Sequence, residues 1–384
     1  MSHDRRETRA DAKPLDGDKR SATDVRPKQT VDLRALSEHL GLSKGTISRA
    51  LNGYPEIAER TRIRVLQAAQ ELGYKPNRAA RRLATGRNDL IAYIGVGADW
   101  MTVDRAFLGS LSENLAASGY GLLVSLADSI DHACEAMTQL LDEQRVDGFV
   151  FNSPNPFDGR LDLVSQRSVP SAIVGASGAY GSSPHLTDQG IPVVGLSDSV
   201  VLDGLVDYLT SMGHSAIGYF GCDAPDVLQM HHTKTLAAAA GNRNASFSSS
   251  LLNGDRLNVE QRTAQLATES AQSLSKRATD LLKERPTAVF CGCERTVVAL
   301  YMAAREQGLS VPAELSIIGI GSSQLASWLS GGLSTVSWSL GEAGRLAADC
   351  VVAQVEGNSL PELQAGIEAT FLARASHGPA PQIR

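Results

Sequence analysis

No stretch of this 384-residue chain approaches the roughly 18 consecutive apolar residues that a membrane-spanning helix requires. Residues 1–30 are too polar to form the apolar centre of a secretory signal, so a cytoplasmic protein is expected. Cysteine is scarce. The five present, at 134, 222, 291, 293 and 350, are odd in number and scattered, unlike the dense even framework of a small secreted domain, and reduced thiols are expected. Glycine-rich phosphate loops and a Gly-x-Ser-x-Gly nucleophile elbow are both missing, which argues against an enzyme. Cys291-x-Cys293 has no second Cys or His pair at finger spacing, so no metal or other cofactor is expected.

With 42 % hydrophobic residues and 20 % charged, the chain can bury a large core, and its length predicts two or three domains. The net charge of −6 conceals an uneven distribution. Residues 1–29 carry 8 basic and 6 acidic side chains, residues 30–87 carry 11 and 5, and the remainder carries 17 and 31. A small basic module therefore precedes a large acidic body, the pattern expected when one segment meets a polyanion and the rest is repelled by it.

Residues 1–29 have few large apolar residues and no helical or strand period, and are expected to be a disordered arm. Periodicity begins at Val31. Asp32 can cap a helix with Leu33, Leu36 and Leu40 on one face, and Gly41 can end it. Ser43 can cap a second helix that turns Ile47, Ala50 and Leu51 inward and leaves Lys44, Thr46, Ser48 and Arg49 outside. A third helix, about 59–72, is expected to bury Ile63, Leu66 and Ala69 before Gly73. The segment from Asn77 to Ala84 is helix-forming but too short to be stable alone, so it needs a partner. Beyond Arg87, strand-like runs at 90–96, 121–126, 146–151, 171–174, 193–195, 216–220, 288–291 and 316–320 alternate mostly with amphipathic stretches. This predicts βαβ units in two parallel-sheet lobes that divide near Pro192.

The run VDLRALSEHLGLSKGTISRALNGYPEIAERTRIRVLQAAQELGYKPNRAARRLATGR resembles, without a gap, the DNA-binding headpiece and hinge of the lactose-repressor (LacI) family. Its pieces GLS-x-x-TIS-R-x-LNG, ERTR-x-x-V and ELGY-x-PN carry the likeness, which continues more weakly through VDGFVF, MGHSAIGYFG, RPTAVF, SVPAELSIIGIG and GLSTV. The resemblance implies an all-α helix-turn-helix headpiece and an α/β body of two Rossmann-like lobes, like a periplasmic binding protein. The expected domains are the arm 1–29, headpiece 30–75, hinge helix and linker 76–88, two-lobed effector-binding and dimerisation domain 89–376, and a tail 377–384.

The same resemblance implies a ligand-responsive repressor of carbohydrate-utilisation genes that binds a pseudo-palindromic double-stranded operator as a homodimer, with a tetramer left open. A solute-binding protein without regulatory role is the alternative, but it would leave residues 31–84 unexplained. Base contacts are implied for Lys44, Gly45 and Arg49. Phosphate contacts are implied for Ser43, Thr46, Ser48, Asn52, Thr61, Tyr74 and Asn77, and minor-groove contacts for Ala80 and Leu83. In the body, Asn152, Cys293, Glu294, Ser322 and Trp328 are expected around a small-molecule effector, a sugar or polyol, at the carboxyl ends of the strands. Glu294 can instead simply favour the start of a helix at Arg295. The family's frequent ligand-contacting Arg has no match between Asp226 and Leu236, where His231 and His232 stand, and Trp338 replaces a frequent Gln. Trp100, Phe107 and Trp328 can each stack on a sugar face, but core or rim is the commoner place for such residues.

Overall fold

The computed structural model describes residues 32–51, 54–74, 86–96, 104–152, 158–176, 190–221, 227–250, 270–321, 325–329, 331–361 and 366–382. The expectations placed on the arm 1–29, on Asn52, Asn77, Ala80, Leu83 and Ser322, and on Trp100 and Cys222 lie outside these residues. Among the described residues, no helix is long and apolar enough to cross a membrane. The chain divides into two compact units, with the boundary between Ala84 and Thr85.

The first unit holds α1 (Leu33–Leu40), α2 (Lys44–Leu51) and α3 (Glu59–Glu71). The Asp32 side chain accepts from the Ala35 N–H, satisfying a donor that has no partner within the helix, and Gly41 closes α1 in the left-handed region at φ 64°. Ser43 Oγ accepts from the Thr46 N–H at 3.1 Å and so opens α2. Leu36, Ile47, Ala50, Val65, Ala68 and Ala69 form the small core. The inner face of α3 differs from expectation: Ala69 is buried, but Ile63 and Leu66 are about half exposed, at 47 % and 49 %. Two apolar stripes overlap on this helix. Val65, Ala68 and Ala69 have the i, i+3, i+4 spacing that meets α1 and α2, which turns Ile63 and Leu66 outward.

The second unit contains two six-stranded sheets. The first has the order β11-β5-β4-β3-β1-β2 and is parallel throughout. Its strands are β1 (Leu90–Val96), β2 (Gly121–Ala127), β3 (Gly148–Asn152), β4 (Ser171–Ala176), β5 (Val193–Ser197) and β11 (Ile367–Glu368). Its connecting helices are α4 (Arg105–Ala117), α5 (Ile130–Asp142) and α6 (Gly159–Gln166). The second sheet has the order β12-β10-β9-β8-β6-β7. It comprises β6 (Ala216–Phe220), β7 (Ser246–Ser250), β8 (Ala288–Cys291), β9 (Ser316–Ile320), β10 (Ser334–Ser337) and the antiparallel β12 (Thr370–Leu372). With it go α7 (Ser199–Ser211), α8 (Val227–Asn242), α9 (Ala271–Lys283) and α10 (Glu294–Glu306). The long α11 (Leu340–Glu356) returns to pack on α4 and the first sheet.

The expected division near Pro192 is therefore misplaced, because β5 completes the first sheet and the chain crosses only after Ser197. It crosses back after β10 and a third time at Ala369, so neither lobe is one continuous stretch. One apolar cluster runs through both lobes, from Ile91 and Phe107 to Phe290 and Trp338. Phe107 belongs to this core rather than to a binding surface. His214, held between Thr287 Oγ1 and Gly378 O, together with the Ala380 N–H donating to Met212 O, ties residues 378–380 to the base of the second lobe.

Candidate functional site: an exposed recognition helix and a two-lobed body

In the first unit, α2 presents two unlike faces. Ile47 and Ala50 are 0 % and 1 % exposed and fasten the helix to the core, while Lys44, Gly45 and Arg49 lie in the open. Ser43 and Thr46, whose hydroxyls share a 2.9 Å hydrogen bond, bring two oxygens to the helix start, where unsatisfied N–H groups favour an anion. Arg49 Nε donates to Gly45 O at 3.2 Å, which lays the guanidinium along the outer face. Thr61 opens α3, its N–H donating to Ala58 O, and Tyr74 packs partly buried against the headpiece core. Ser48 is half-buried on α2. A Cβ at Gly45 would touch only the Arg49 side chain at 3.7 Å and Ser43 Oγ at 3.8 Å, ordinary contact distances. Gly45→Ala is therefore expected to fold normally and to raise headpiece stability by up to about 1 kcal/mol through helix propensity. Thermal unfolding checks this; a loss of stability would show that the helix is closed to side chains there.

In the body, the carboxyl ends of the strands carry the polar residues. Asn152 ends β3 and is buried, and its carbonyl accepts from the Arg160 guanidinium at 3.1 Å. Arg160, itself buried, also donates to Ile94 O, forms an ion pair with buried Asp158 at 2.7 Å and lies 5.1 Å from the Phe151 ring centroid. The second lobe repeats the device: Arg277 lies 5.2 Å from the Phe220 ring centroid and donates to Gly221 O and Ser250 O. Each arginine thus ties together the ends of two neighbouring strands. Cys293 and Glu294 follow β8, on the other sheet from Asn152. Cys293 caps α10, where its N–H donates to Thr296 Oγ1, and exposed Glu294 occupies the first turn, where the helix dipole favours its charge.

One expectation is corrected here. Cys293 is in a disulfide, so the thiols are not all reduced; Cys134, Cys291 and Cys350 are free. Burial pushes the Cys134 and Cys350 thiols up to about 11, with Asp158 acting further on Cys134 and Asp349 on Cys350, so neither is a thiolate at neutral pH. Trp328 follows a one-turn 3-10 helix (Leu325–Ser327) and is 78 % exposed, so it does not gather with a buried polar cluster. The tryptophan that does so is Trp338.

That cluster centres on Asp198, just after β5. Its two oxygens accept from His231 Nε2 at 3.1 Å and His232 Nε2 at 2.8 Å. Ser199 Oγ lies 3.1 Å from the same His231 nitrogen, and Tyr219 OH lies 3.4 Å from His232 Nδ1. The His232 ring stacks on Trp338 with centroids 6.4 Å apart. Burial alone would raise the Asp198 pKa, but the hydrogen bonds from His231 and His232 outweigh it and hold the carboxyl at about 2. Sequence reading singled out His231, His232 and Trp338 but missed Asp198 and Tyr219. Asp198 reads locally as a helix cap, and only the fold brings it to a helix more than thirty positions further along. Among the described residues, no group of three or more His, Cys, Asp or Glu is arranged to hold a metal ion.

Comparison with known proteins places these features. Residues 38–77 match the family of bacterial regulatory proteins of the lacI type, and residues 206–377 match a periplasmic binding protein-like domain. The HTH-type transcriptional regulator AglR of Rhizobium meliloti (strain 1021) is 28 % identical over 358 residues, covering 91 % of this chain and 95 % of its own. A lac repressor dimer bound to operator and the anti-inducer ONPF superposes with a TM-score of 0.69 at 20 % identity, covering 91 % of this chain and 99 % of its own. A complex of the transcriptional regulator CelR with cellobiose superposes with a TM-score of 0.62 at 19 % identity, covering 90 % and 99 %.

Proposed function

Because this chain belongs to the LacI family of bacterial regulatory proteins, we propose that it is a cytoplasmic repressor of carbohydrate-utilisation genes which binds a pseudo-palindromic operator as a dimer and releases or grips it in response to a small molecule between its lobes. The observation that carries the DNA-binding role is the two-faced α2. Its apolar side is fully committed to the core, so Lys44, Gly45 and Arg49 remain for the major groove, with Ser43, Thr46 and Ser48 beside the phosphates. Thr61, Tyr74, Asn52 and Asn77 are assigned to further phosphate contacts, and Ala80 and Leu83 to the minor groove.

In the body, Asn152, Cys293, Glu294 and Ser322 are assigned to the effector, at strand ends of the kind where open α/β sheets bind ligands, with exposed Trp328 as an apolar face for a sugar ring. The family fold, shared with a regulator that holds cellobiose, and the absence of a Lys or Arg cluster at positions 291–295 and 320–323 favour a sugar or polyol over an anion.

Arg49→Ala tests the base-reading role on DNA selected by the protein from random duplexes. A bidentate contact to guanine predicts a loss of about 1–3 kcal/mol on the selected duplex and much less on mixed-sequence DNA in gel-shift titrations. Equal losses on both would reduce Arg49 to a phosphate contact.

A further inference from the structure

The three segments that pass between the lobes meet at one peptide group. Ser197, the last residue of β5, offers its carbonyl to the Ala369 N–H at 2.7 Å and to Trp338 Nε1 at 3.1 Å. Ser197 lies on the first crossing, Trp338 on the second and Ala369 on the third. The next residue on the first crossing is Asp198, whose carboxylate carries the bonds from His231 and His232 on α8 of the second lobe. The stacked His232 and Trp338 rings join the two sets of bonds into one unit.

Building on the regulatory reading above, we propose that Asp198, His231, His232 and Trp338 form a latch at the crossing segments, pinning the first crossing to α8 of the second lobe and to the second crossing, whose making and breaking sets the orientation of the lobes and thereby couples effector to operator. These are positioning residues: they act through the lobes and need touch neither DNA nor effector. The chemistry suits a reversible latch. The Asp198 and His232 side chains are 0 % and 1 % exposed, so their bond is shielded from water, whereas His231 is 17 % exposed and closes the latch at the edge that solvent reaches. A tautomer of His232 that donates Nε2–H to Asp198 leaves Nδ1 to accept from the Tyr219 hydroxyl, so one tautomer satisfies both bonds. Gly292, after β8, keeps room for that hydroxyl, since a Cβ there would lie 2.6 Å from it.

A contact at the crossing segments acts on function only through a difference between two arrangements of the lobes. Hydrogen bonds to a buried carboxylate are among the stronger ones, so losing two of them is expected to change the ratio of lobe arrangements at least tenfold.

The test measures the distance between a non-cysteine spin label at Glu135 on α5 and one at Lys276 on α9, in the full chain, by pulsed electron spin resonance. Both sites are exposed and lie on different lobes. Asp198→Ala is expected to shift or broaden the distance distribution and to change affinity for the selected duplex at least fivefold without added sugar. Asp198→Asn, which keeps the volume but sets an NH2 against one imidazole N–H, and Trp338→Phe, which keeps a ring but removes the donor to Ser197, are expected to do so in smaller measure. They also keep the test decisive if Asp198→Ala does not fold. Asp203→Ala is the control, because it weakens the Arg243 pin between α7 and α8 without touching a crossing segment, and it should leave the distribution unchanged. A wild-type distribution in folded Asp198→Asn and Trp338→Phe would overturn the latch. Because the distance is read without DNA, that outcome is separate from any failure to bind an operator.

Discussion

Arg160→Ala is expected to destabilise the body by about 3–5 kcal/mol, the cost of leaving a buried carboxylate without its partner. Asp158 and Arg160 side chains are 0 % and 2 % exposed, so water cannot replace the lost guanidinium. The same substitution strips a donor from Ile94 O and another from Asn152 O, at the carboxyl ends of β1 and β3. Chemical denaturation of the full chain should show the transition of residues 85–384 moving to lower denaturant while that of the headpiece stays in place. Arg160→Met combined with Asp158→Asn removes both charges and should recover much of the loss. A shift below about 1 kcal/mol for Arg160→Ala would mean that the pair is hydrated in solution.

Gly344→Val is the second large effect, expected at about 3 kcal/mol, and it runs against helix propensity, which disfavours glycine at an interior position of α11 by up to about 1 kcal/mol relative to alanine. A Cβ at Gly344 would lie 2.5 Å from Phe107 O and 2.9 Å from the Leu111 N of α4, so backbone rather than a yielding side chain stands in its way. The two helices must part, opening the core that includes Leu111 and Ala347. Gly341→Ala on the same helix meets nothing within 4 Å and should be neutral or slightly stabilising. Equal melting temperatures for the Gly344→Val and wild-type proteins would contradict the close approach of α4 and α11.

These two sites show what could and could not be read from the chain. The strands β1, β6, β8 and β9 are legible because each is a short apolar run bounded by turn or helix signals, and parallel strands buried on both faces have no polar alternation to blur them. Strand β7, with the sequence SFSSS, was missed because edge position leaves it half exposed and it needs no apolar run. Helix α8 was missed because its apolar and polar residues are spread around the whole helix and show no stripe. The headpiece reads well because Asp32, Gly41 and Ser43 each act on backbone groups a few residues away. On α3 local spacing allowed two inner faces, and only the neighbouring helices choose between them.

The candidate site divides along the same line. Lys44, Gly45 and Arg49 were visible because exposure on α2 follows from the burial of Ile47 and Ala50 one turn away or less. Asp198, Tyr219 and the Ser197 carbonyl were not visible, because their partners lie on other crossings of the chain and no sequence period links them. Trp328 was singled out by residue type alone, and it stands exposed just after a one-turn 3-10 helix.

Selection from a pool of random duplexes by the 384-residue chain tests most directly whether it reads DNA sequence through two copies of α2. Enrichment of an inverted repeat is expected, with one base pair in each half-site that loses its preference when the selection is repeated with Arg49→Ala. Recovery of unenriched DNA, or of a single asymmetric motif unaffected by Arg49→Ala, would contradict it.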